Sequence, residues 1–87
     1  MTKKPHKMFH DPGHGWVRVS IAELCKLGIV DGISSYSYRR GGWAFLEEDC
    51  DAYLWMCAYT KVHGKQPELE HRHINTNSNI RDFTPYY

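Results

Sequence analysis

The sequence lacks a long apolar run. No stretch approaches the roughly 18 apolar residues of a membrane span, and the basic start of the chain, residues 1–7, is not followed by the apolar core of a signal peptide. We therefore expect a cytoplasmic protein with no membrane partner. The formal net charge is only +1. A chain so close to neutral needs a local basic patch if it is to bind nucleic acid.

The cysteines are few and have no repeated spacing. Cys25, Cys50 and Cys57 are an odd number without a C-x-x-C motif. This pattern disfavours a disulfide framework and removes the commonest zinc and redox signatures, so we expect reduced, buried thiols. The sequence has no serine nucleophile elbow or Gly-rich phosphate loop, and the carboxylates around Cys50 oppose activation of its thiol. No catalytic residue is assigned, and the sequence favours a protein that is not an enzyme.

The length of 87 residues is that of one small domain, with no room for a second hydrophobic core. We expect a flexible basic tail over residues 1–6 and a single domain over residues 7–87. A domain of this size buries only about 60% of the surface of its unfolded chain, and such domains often gain stability from a metal or a partner.

Hydrophobic periodicity predicts an α+β fold. Alternating residues predict strands at 7–10, 16–19, 35–40, 43–47, 67–74 and 80–84. Helices are predicted over residues 21–27 and 50–62, the first after a capping box formed by Ser20 and Glu23. The predicted architecture is a small antiparallel sheet built from hairpins, with two helices packed on one face.

Two strands joined by Gly41-Gly42 form the clearest local motif. Glycine adopts a positive φ at both central positions of a primed hairpin turn without steric cost. The register that follows pairs Arg40 with Trp43, Tyr38 with Phe45 and Tyr36 with Glu47. With Arg39, this hairpin combines stackable rings with guanidinium groups, a mixture suited to protein hot spots and to single-stranded nucleic acid. The alternative is that the rings are sheet core.

The acidic run Glu47-Glu48-Asp49-Cys50-Asp51 stands where a strand is predicted to end and a helix to begin. The free amides and the dipole of a helix favour carboxylates at this position. We therefore interpret the run as a helix cap rather than a metal site, with Asp49 as the N-cap and Asp51 in the first turn.

The second predicted helix is apolar on two sides. One side carries Cys50, Tyr53, Leu54, Cys57, Ala58 and Val62, and the other carries Ala52, Trp55, Met56, Tyr59 and His63. A domain of this size has little material to cover both sides. We therefore expect Trp55, Met56 and Tyr59 to lie at an interface or groove, and self-association into a homodimer through them is one interpretation.

Four of the six histidines form two pairs. His10 and His14 bracket a turn that contains proline and glycine, and His71 and His73 project from one face of a predicted strand. Imidazole is the commonest neutral ligand of zinc and similar divalent metals, and Asp11 could add an oxygen ligand or a hydrogen bond that orients a histidine ligand. The two pairs form one metal site only if their strands are neighbours, which the sequence leaves open. The alternative is a set of hydrogen-bonded surface histidines.

The motifs H-D-P-G-H-G-W-V-R-V (residues 10–19), S-Y-S-Y (35–38) and F-L-E-E-D-C-D-A (45–52) resemble those of small uncharacterised proteins encoded in bacteriophages, plasmids and related bacterial loci. The resemblance implies a mobile element, and hence the cytoplasm of a bacterial host cell. It carries over no functional residue. Small accessory proteins that bind a host factor are the usual products of such loci, which is an analogy at the level of setting.

Three interpretations of function follow. The first is a non-enzymatic phage-type accessory protein, without cofactor, that binds and can inhibit a host macromolecule, most simply a host protein. Its partner surface would consist of Tyr36, Tyr38, Arg39, Arg40, Trp43, Trp55, Met56 and Tyr59. The second is a metal-binding module or small metal-dependent hydrolase that uses His10, His14, His71 and His73. The third is a single-stranded nucleic-acid binder, in which bases stack on the hairpin rings.

Overall fold

The computed structural model of the chain describes residues 5–87, which form one six-stranded sheet flanked by two helices. The elements are β1 (His6–His10), β2 (Gly15–Ser20), α1 (Ile21–Lys26), β3 (Tyr38–Arg40), β4 (Trp43–Glu47), α2 (Asp51–His63), β5 (Leu69–His73) and β6 (Thr84–Pro85). Two short 3-10 turns cover Val30–Gly32 and Asn79–Asp82. Within the described range, neither helix has the length and apolar character that a membrane span requires.

The α+β fold predicted from the sequence is confirmed, and its sheet is mostly antiparallel. The strand order is β5-β1-β2-β4-β3-β6, and among the described strands only β5 and β1 pair in parallel. The chain enters β5 from α2 and not from a tight turn, which permits the parallel direction. β1 begins at His6, inside the predicted tail, whereas residues 1–4 of that tail lie outside the described residues.

The helices cover one face of the sheet, where the main core lies. Val17 and Val19 of β2 and Leu46 of β4 are fully buried there, against Leu24 of α1 and Trp55 of α2. These are the β2 residues that strand alternation assigns to a single face. Burial of each such side chain stabilises the fold by about 1.5–3 kcal/mol relative to leaving it in water.

Helix α1 begins and ends where the sequence predicts. Ser20 Oγ accepts a hydrogen bond from the Glu23 amide at 3.1 Å, and Gly28 follows the helix with a positive φ of 74°. The capping box is only half formed, because the Glu23 carboxylate turns to the side chains of His6 and Trp55.

Helix α2 exposes to solvent the side that was expected to be buried, and buries the side that was expected to be exposed. The prediction of an exposed stripe is wrong, since Trp55 is fully buried, Tyr59 is buried and Met56 is half-buried. The indole tolerates burial because its Nε1 donates a hydrogen bond to Glu23 Oε2 at 2.9 Å. The exposed side of α2 instead carries Tyr53, Leu54, Cys57 and Val62.

The three cysteines are free and exposed, which contradicts their predicted burial. Helix α1 is six residues long and buries only Leu24, so Cys25 stays on its solvent side. Cys50 precedes α2, and Cys57 lies on the outer side of that helix because the opposite side faces the core.

The β3–β4 hairpin has the predicted two-residue turn and the predicted register at its tip. Arg40 pairs with Trp43, and Tyr38 pairs with Phe45. Gly41 has a positive φ of 58°, whereas Gly42 does not. A positive φ at the first central position alone is the pattern of a type II′ turn.

The third predicted pair of this hairpin is wrong. Tyr36 does not pair with Glu47 but lies in a turn before β3 and is 72% exposed. The cause is Asp51, whose buried carboxylate accepts hydrogen bonds from the Ser34 amide at 3.1 Å, the Ser34 hydroxyl at 2.7 Å and the Ser37 hydroxyl. Ser37 Oγ in turn accepts a hydrogen bond from the Glu47 amide at 3.0 Å. These bonds hold the loop against α2 and shorten the strand.

Asp49 is not the N-cap of α2. The N-cap is Cys50, which makes no side-chain capping bond. Asp49 is exposed, and its amide donates a hydrogen bond to Glu47 Oε2 at 2.9 Å. Asp51 lies in the first turn as predicted, but its carboxylate binds the preceding loop.

The other face of the sheet carries a small aromatic core. Trp16 of β2 and Phe45 of β4 are buried there with Ile80 of the second 3-10 turn. Arg81 fixes that turn, because its guanidinium donates hydrogen bonds of 2.7 and 2.9 Å to the buried carboxylate of Asp11. Phe9, Tyr38 and Phe83 border this core and are half-buried. This face therefore has a thinner cover than the helical face.

Candidate metal centre

Three histidines lie side by side at one end of the sheet because β1 and β5 are parallel neighbours. The register pairs Met8 with His71 and His10 with His73, so the three imidazoles lie on the same face. His10 Nε2 and His71 Nδ1 are 2.8 Å apart. The rings of His10 and His73 are stacked, with centroids 4.5 Å apart and planes inclined by 10°. We call His10, His71 and His73 the histidine cluster.

The surroundings of His10 favour its neutral form. Burial lowers the pKa of His10, and the neighbouring His73 and His71 lower it further, whereas Glu48 acts in the opposite direction. Only a neutral imidazole has a nitrogen lone pair free to bind a metal. The lowered pKa therefore favours coordination at neutral pH.

The ring nitrogens of His10 and His71 lie about 0.5 Å closer together than two ligands of one zinc ion. Bonds of about 2.0–2.1 Å from zinc to nitrogen, at tetrahedral angles, place two ligand nitrogens about 3.3 Å apart. The observed 2.8 Å is that of one imidazole donating a hydrogen bond to the other. His71 and His73 must both turn about their side-chain bonds before three nitrogens point at one ion, because both rings are stacked against His10. His71 and His73 lie exposed on the edge strand, where such rotation is free of buried neighbours.

Glu48 approaches the histidine cluster across the backbone of Gly15. A Cβ at Gly15 would lie 2.7 Å from Glu48 Oε2 and 3.1 Å from His10 Nδ1. The absence of a side chain therefore lets a carboxylate and an imidazole approach the same point above β2. Sequence reasoning missed both Gly15 and Glu48. No local pattern marks this contact, because it depends on the pairing of β2 with β4.

His14 belongs to a second group of ligand atoms. One ligand atom each from His14, Glu47 and Glu48 lies within 4.8 Å of the other two, and His14 Nδ1 is 3.6 Å from Glu47 Oε1. We call these residues the His14 group. The four-histidine site predicted from the sequence is therefore divided, with Glu48 between the His14 group and the histidine cluster. The glutamates assigned to a helix cap lie at this end of the sheet instead.

Asp11, predicted to bind a metal through an oxygen or to orient a histidine ligand, forms other bonds instead. Its carboxylate accepts hydrogen bonds from the amides of Gly13, His14 and Ser78, at 2.9 to 3.0 Å, besides those from Arg81. The Arg81 guanidinium outweighs the effect of burial and, with the amides, holds the pKa of Asp11 well below its usual range. Asp11 therefore positions the turn that carries His14.

The predicted partner surface is divided between the surface and the core. Tyr36, Arg39, Arg40 and Trp43 are exposed, Tyr38 and Met56 are half-buried, and Trp55 and Tyr59 are buried. The hairpin half of the predicted surface is therefore accessible, and the helix half is not. Sequence reasoning missed Arg18, whose guanidinium lies 4.3 Å from the centroid of the Trp43 ring. Strand alternation and the pairing of β2 with β4 bring these two side chains to one face.

Comparisons with protein-family models, with curated proteins and with solved structures found no match for this chain. The resemblance to phage and plasmid proteins therefore stays a prediction. What the chain can do has to be inferred from its own side chains. Two features suggest a function: the histidine cluster beside Glu48, which offers metal ligands, and the exposed aromatic face of the sheet, which offers a binding surface.

Proposed function

We propose that this protein is a metal-binding module that holds one zinc-like divalent ion at the histidine cluster. The observation that supports the proposal is the parallel pairing of β1 and β5, which brings His10 and His71 to within 2.8 Å of each other and stacks His73 beside them. Glu48 orients His10, since its carboxylate approaches His10 Nδ1, the ring nitrogen that does not face His71.

The donor set selects the class of ion. Imidazole nitrogens suit zinc, copper, nickel and iron, whereas calcium and magnesium require oxygen ligands. Three protein nitrogens with a fourth position left for solvent match one of the common coordination patterns of zinc. The proposed activity is metal binding and does not include a reaction.

The experiment is a zinc titration of untagged protein against a chromophoric chelator, with elemental analysis of the dialysed protein. We expect one bound zinc per chain, and we expect His10→Ala and His71→Ala each to weaken binding by more than 100-fold. Loss of an outer partner alone costs about 10- to 100-fold, so loss of a direct ligand should exceed that range. The matched control is His63→Ala, since His63 is an exposed histidine of α2 outside the cluster.

Equal binding by the wild type and all three variants would assign the zinc to adventitious surface sites. Binding that depends on His14 but not on His71 would instead move the site to the His14 group. A His14→Ala variant in the same titration separates these results, because it leaves the β1–β5 pairing intact.

The exposed tip of the β3–β4 hairpin favours a second function, the binding of a host macromolecule. Arg39, Arg40 and Trp43 project from this tip, and Trp and Arg are the residue types that dominate binding hot spots. The resemblance to phage and plasmid proteins implies a bacterial host. Capture experiments from bacterial lysate, with wild-type protein and Arg40→Ala as bait, test this function. A partner retained equally by both baits would argue against the hairpin tip.

A further inference from the structure

Rings and guanidinium groups alternate across the sheet face that lies opposite the helices. Phe9 of β1, Arg18 of β2, Trp43 of β4 and Arg40 of β3 follow one another on four adjacent strands. We call these four residues the aromatic–arginine row. Arg40 is paired with Trp43 in the register of the hairpin. The row crosses three gaps between strands, which corresponds to a width of about 14 Å.

Contacts within the row hold its members in order. The Arg18 guanidinium lies 4.3 Å from the Trp43 ring centroid and 5.9 Å from that of Phe9. The Arg40 guanidinium lies 5.1 Å from the centroid of Phe83, which stands beside the row. Each cation thus rests against a ring face, an arrangement that stabilises both side chains while leaving donor N–H groups at the edge of the guanidinium.

The row is open to a ligand. Trp43 is 43% exposed, Arg40 is exposed, and Phe9 and Arg18 are half-buried. The aromatic core under Ile80 covers only the neighbouring part of this face. The part of Trp43 and Phe9 that the Arg18 guanidinium leaves uncovered can therefore receive a flat group without displacement of the core.

The two arginines of the row are available to an anion. Within the part of the chain that the structure describes, neither Arg18 nor Arg40 forms an ion pair. Arg72 and Arg81, by contrast, are paired with Glu70 and Asp11. A net charge of +1 for the chain therefore coexists with a local cationic strip, which is the form of charge that nucleic-acid binding requires here.

A concave pocket of about 390 Å³ adjoins the row. It is lined by Phe9, Arg18 and Phe45 on the sheet and by Thr76, Asn77, Ser78 and Asn79 of the C-terminal segment. Asparagine amides and hydroxyl groups can both donate to and accept from the edges of nucleic-acid bases. The pocket thus offers hydrogen-bonding groups next to a stacking surface.

We propose that the aromatic–arginine row binds single-stranded nucleic acid, with bases stacked on Trp43 and Phe9 and phosphates bound by Arg18 and Arg40. The inference rests on the second proposed function, macromolecule binding, and names its ligand class. A single strand fits because its unpaired bases can lie flat on a sheet, whereas the bases of a duplex are stacked on each other. A protein partner needs no repeated alternation of ring and cation at strand spacing, so the row favours nucleic acid.

The test is fluorescence anisotropy with a labelled oligothymidine and, separately, a mixed-sequence duplex. We expect the single strand to bind more tightly than the duplex. Two phosphate contacts predict a loss of affinity of about 7-fold between 50 and 200 mM salt, from a slope of about −0.7 per contact. Arg40→Ala should lower this slope by about 0.7, because one contact is removed.

Substitutions of Trp43 give the second measurement. Trp43→Ala should weaken binding about 5- to 150-fold, the range for loss of one stacked base. Trp43→Phe should restore most of the affinity, because phenylalanine keeps a flat ring on which a base can stack. Tyr53→Ala and Lys61→Ala are matched controls, since both residues are exposed on α2, behind the opposite face. Thermal unfolding of each variant checks that the fold is retained.

An unchanged anisotropy at about 10⁻⁴ M protein, the weak end of non-specific affinity, would overturn the proposal. So would binding that Lys61→Ala weakens as much as Arg40→Ala. If oligonucleotides do not bind but a host protein is captured and Trp43→Ala releases it, nucleic acid is the wrong ligand class while macromolecule binding stands. If neither binds, the second proposed function fails as well.

Discussion

His10 and His71 are 61 residues apart in the sequence, yet their ring nitrogens lie 2.8 Å apart across the parallel pair of β1 and β5. β5 is an edge strand, and Leu69, its one apolar side chain, packs against the main core. An ion bound between the two imidazoles would replace a shared hydrogen bond with two metal–ligand bonds. Metal binding should therefore hold the edge strand on the sheet, which couples the proposed site to the stability of the fold.

Zinc should raise the stability of the wild-type protein. A ligand that binds only the folded state, at a free concentration of 100 times its dissociation constant, adds about 2.7 kcal/mol to the free energy of unfolding. His71→Ala should lose this increment, whereas His63→Ala should keep it. Urea unfolding with zinc and with chelator measures the difference. An equal zinc effect in wild type and His71→Ala would show that the ion acts elsewhere.

Gly15→Ala should weaken zinc binding while leaving the fold largely intact. A Cβ at Gly15 would come 2.7 Å from Glu48 Oε2 and 3.1 Å from His10 Nδ1, so both groups must move. The cost in stability should stay near 1 kcal/mol, the low end for added core methyl groups, because a flexible carboxylate can turn aside. Zinc titration and urea unfolding of the same variant give the two quantities.

Gly42→Ala is the matched control for this substitution. No atom of residues 5–87 lies within 4 Å of the position where its Cβ would be, and its φ is not positive. It should change neither zinc affinity nor stability by a measurable amount. A loss of zinc affinity in Gly42→Ala equal to that in Gly15→Ala would mean that the carboxylate near His10 has no part in the site.

Features of the fold that depend on near neighbours in sequence could be predicted. The Gly41-Gly42 turn sets the register of Arg40 with Trp43, and Ser20 fixes the start of α1 through the Glu23 amide. These contacts involve residues within a few positions of each other, so propensity and spacing are sufficient to locate them. The alternation of His71 and His73 is of the same kind.

Features that depend on distant pairing could not be predicted. The parallel pairing of β1 and β5 decides whether His10 meets His71, and nothing near either residue encodes it. The side of α2 that is buried was also undetermined, because both sides are apolar. The buried side is the one that carries Trp55, whose indole donates a hydrogen bond to Glu23 of α1. Such choices depend on the whole core and not on a local pattern.

The half-buried Glu23 carboxylate should make stability depend on pH. Burial alone would raise the pKa of Glu23, but hydrogen bonds from His6 at 2.8 Å and Trp55 at 2.9 Å outweigh it, and the pKa lies below its ordinary value. A folded-state pKa below the unfolded one gives a contribution that is present above the unfolded pKa of about 4.3 and is lost as the pH falls through the folded value.

Glu23→Gln should therefore lower the free energy of unfolding at pH 7 by about 1 kcal/mol, a value reduced from that of a buried charged hydrogen bond because the group is partly exposed. The difference from wild type should shrink in acid, below about pH 4. Urea unfolding at several pH values measures it. Glu68→Gln, at an exposed glutamate, is the control and should show no such trend. A difference that is constant from pH 7 to pH 3 would rule out the carboxylate charge as its source.

Asp51 and Asp49 give the last prediction, since the sequence favours one as the helix cap and the structure uses the other. Asp51→Ala removes the buried acceptor of the Ser34 amide and of the hydroxyls of Ser34 and Ser37. Leaving buried polar groups without partners costs about 1–3 kcal/mol each, so we expect a total loss of about 3 kcal/mol. Asp49→Ala should cost less than about 0.5 kcal/mol, as is usual at an exposed site without capping bonds.

Urea unfolding of both variants at pH 7 makes the comparison. The loop before β3 should also loosen in Asp51→Ala, because the carboxylate is what ties Ser34 and Ser37 to the first turn of α2. Faster amide hydrogen exchange at Ser34 and Glu47 should report it, since the Ser34 amide donates to Asp51 and the Glu47 amide donates to Ser37. If Asp49→Ala were the more destabilising of the two, the helix would depend on the cap that the sequence indicates, and the assignment of Asp51 to the loop would be wrong.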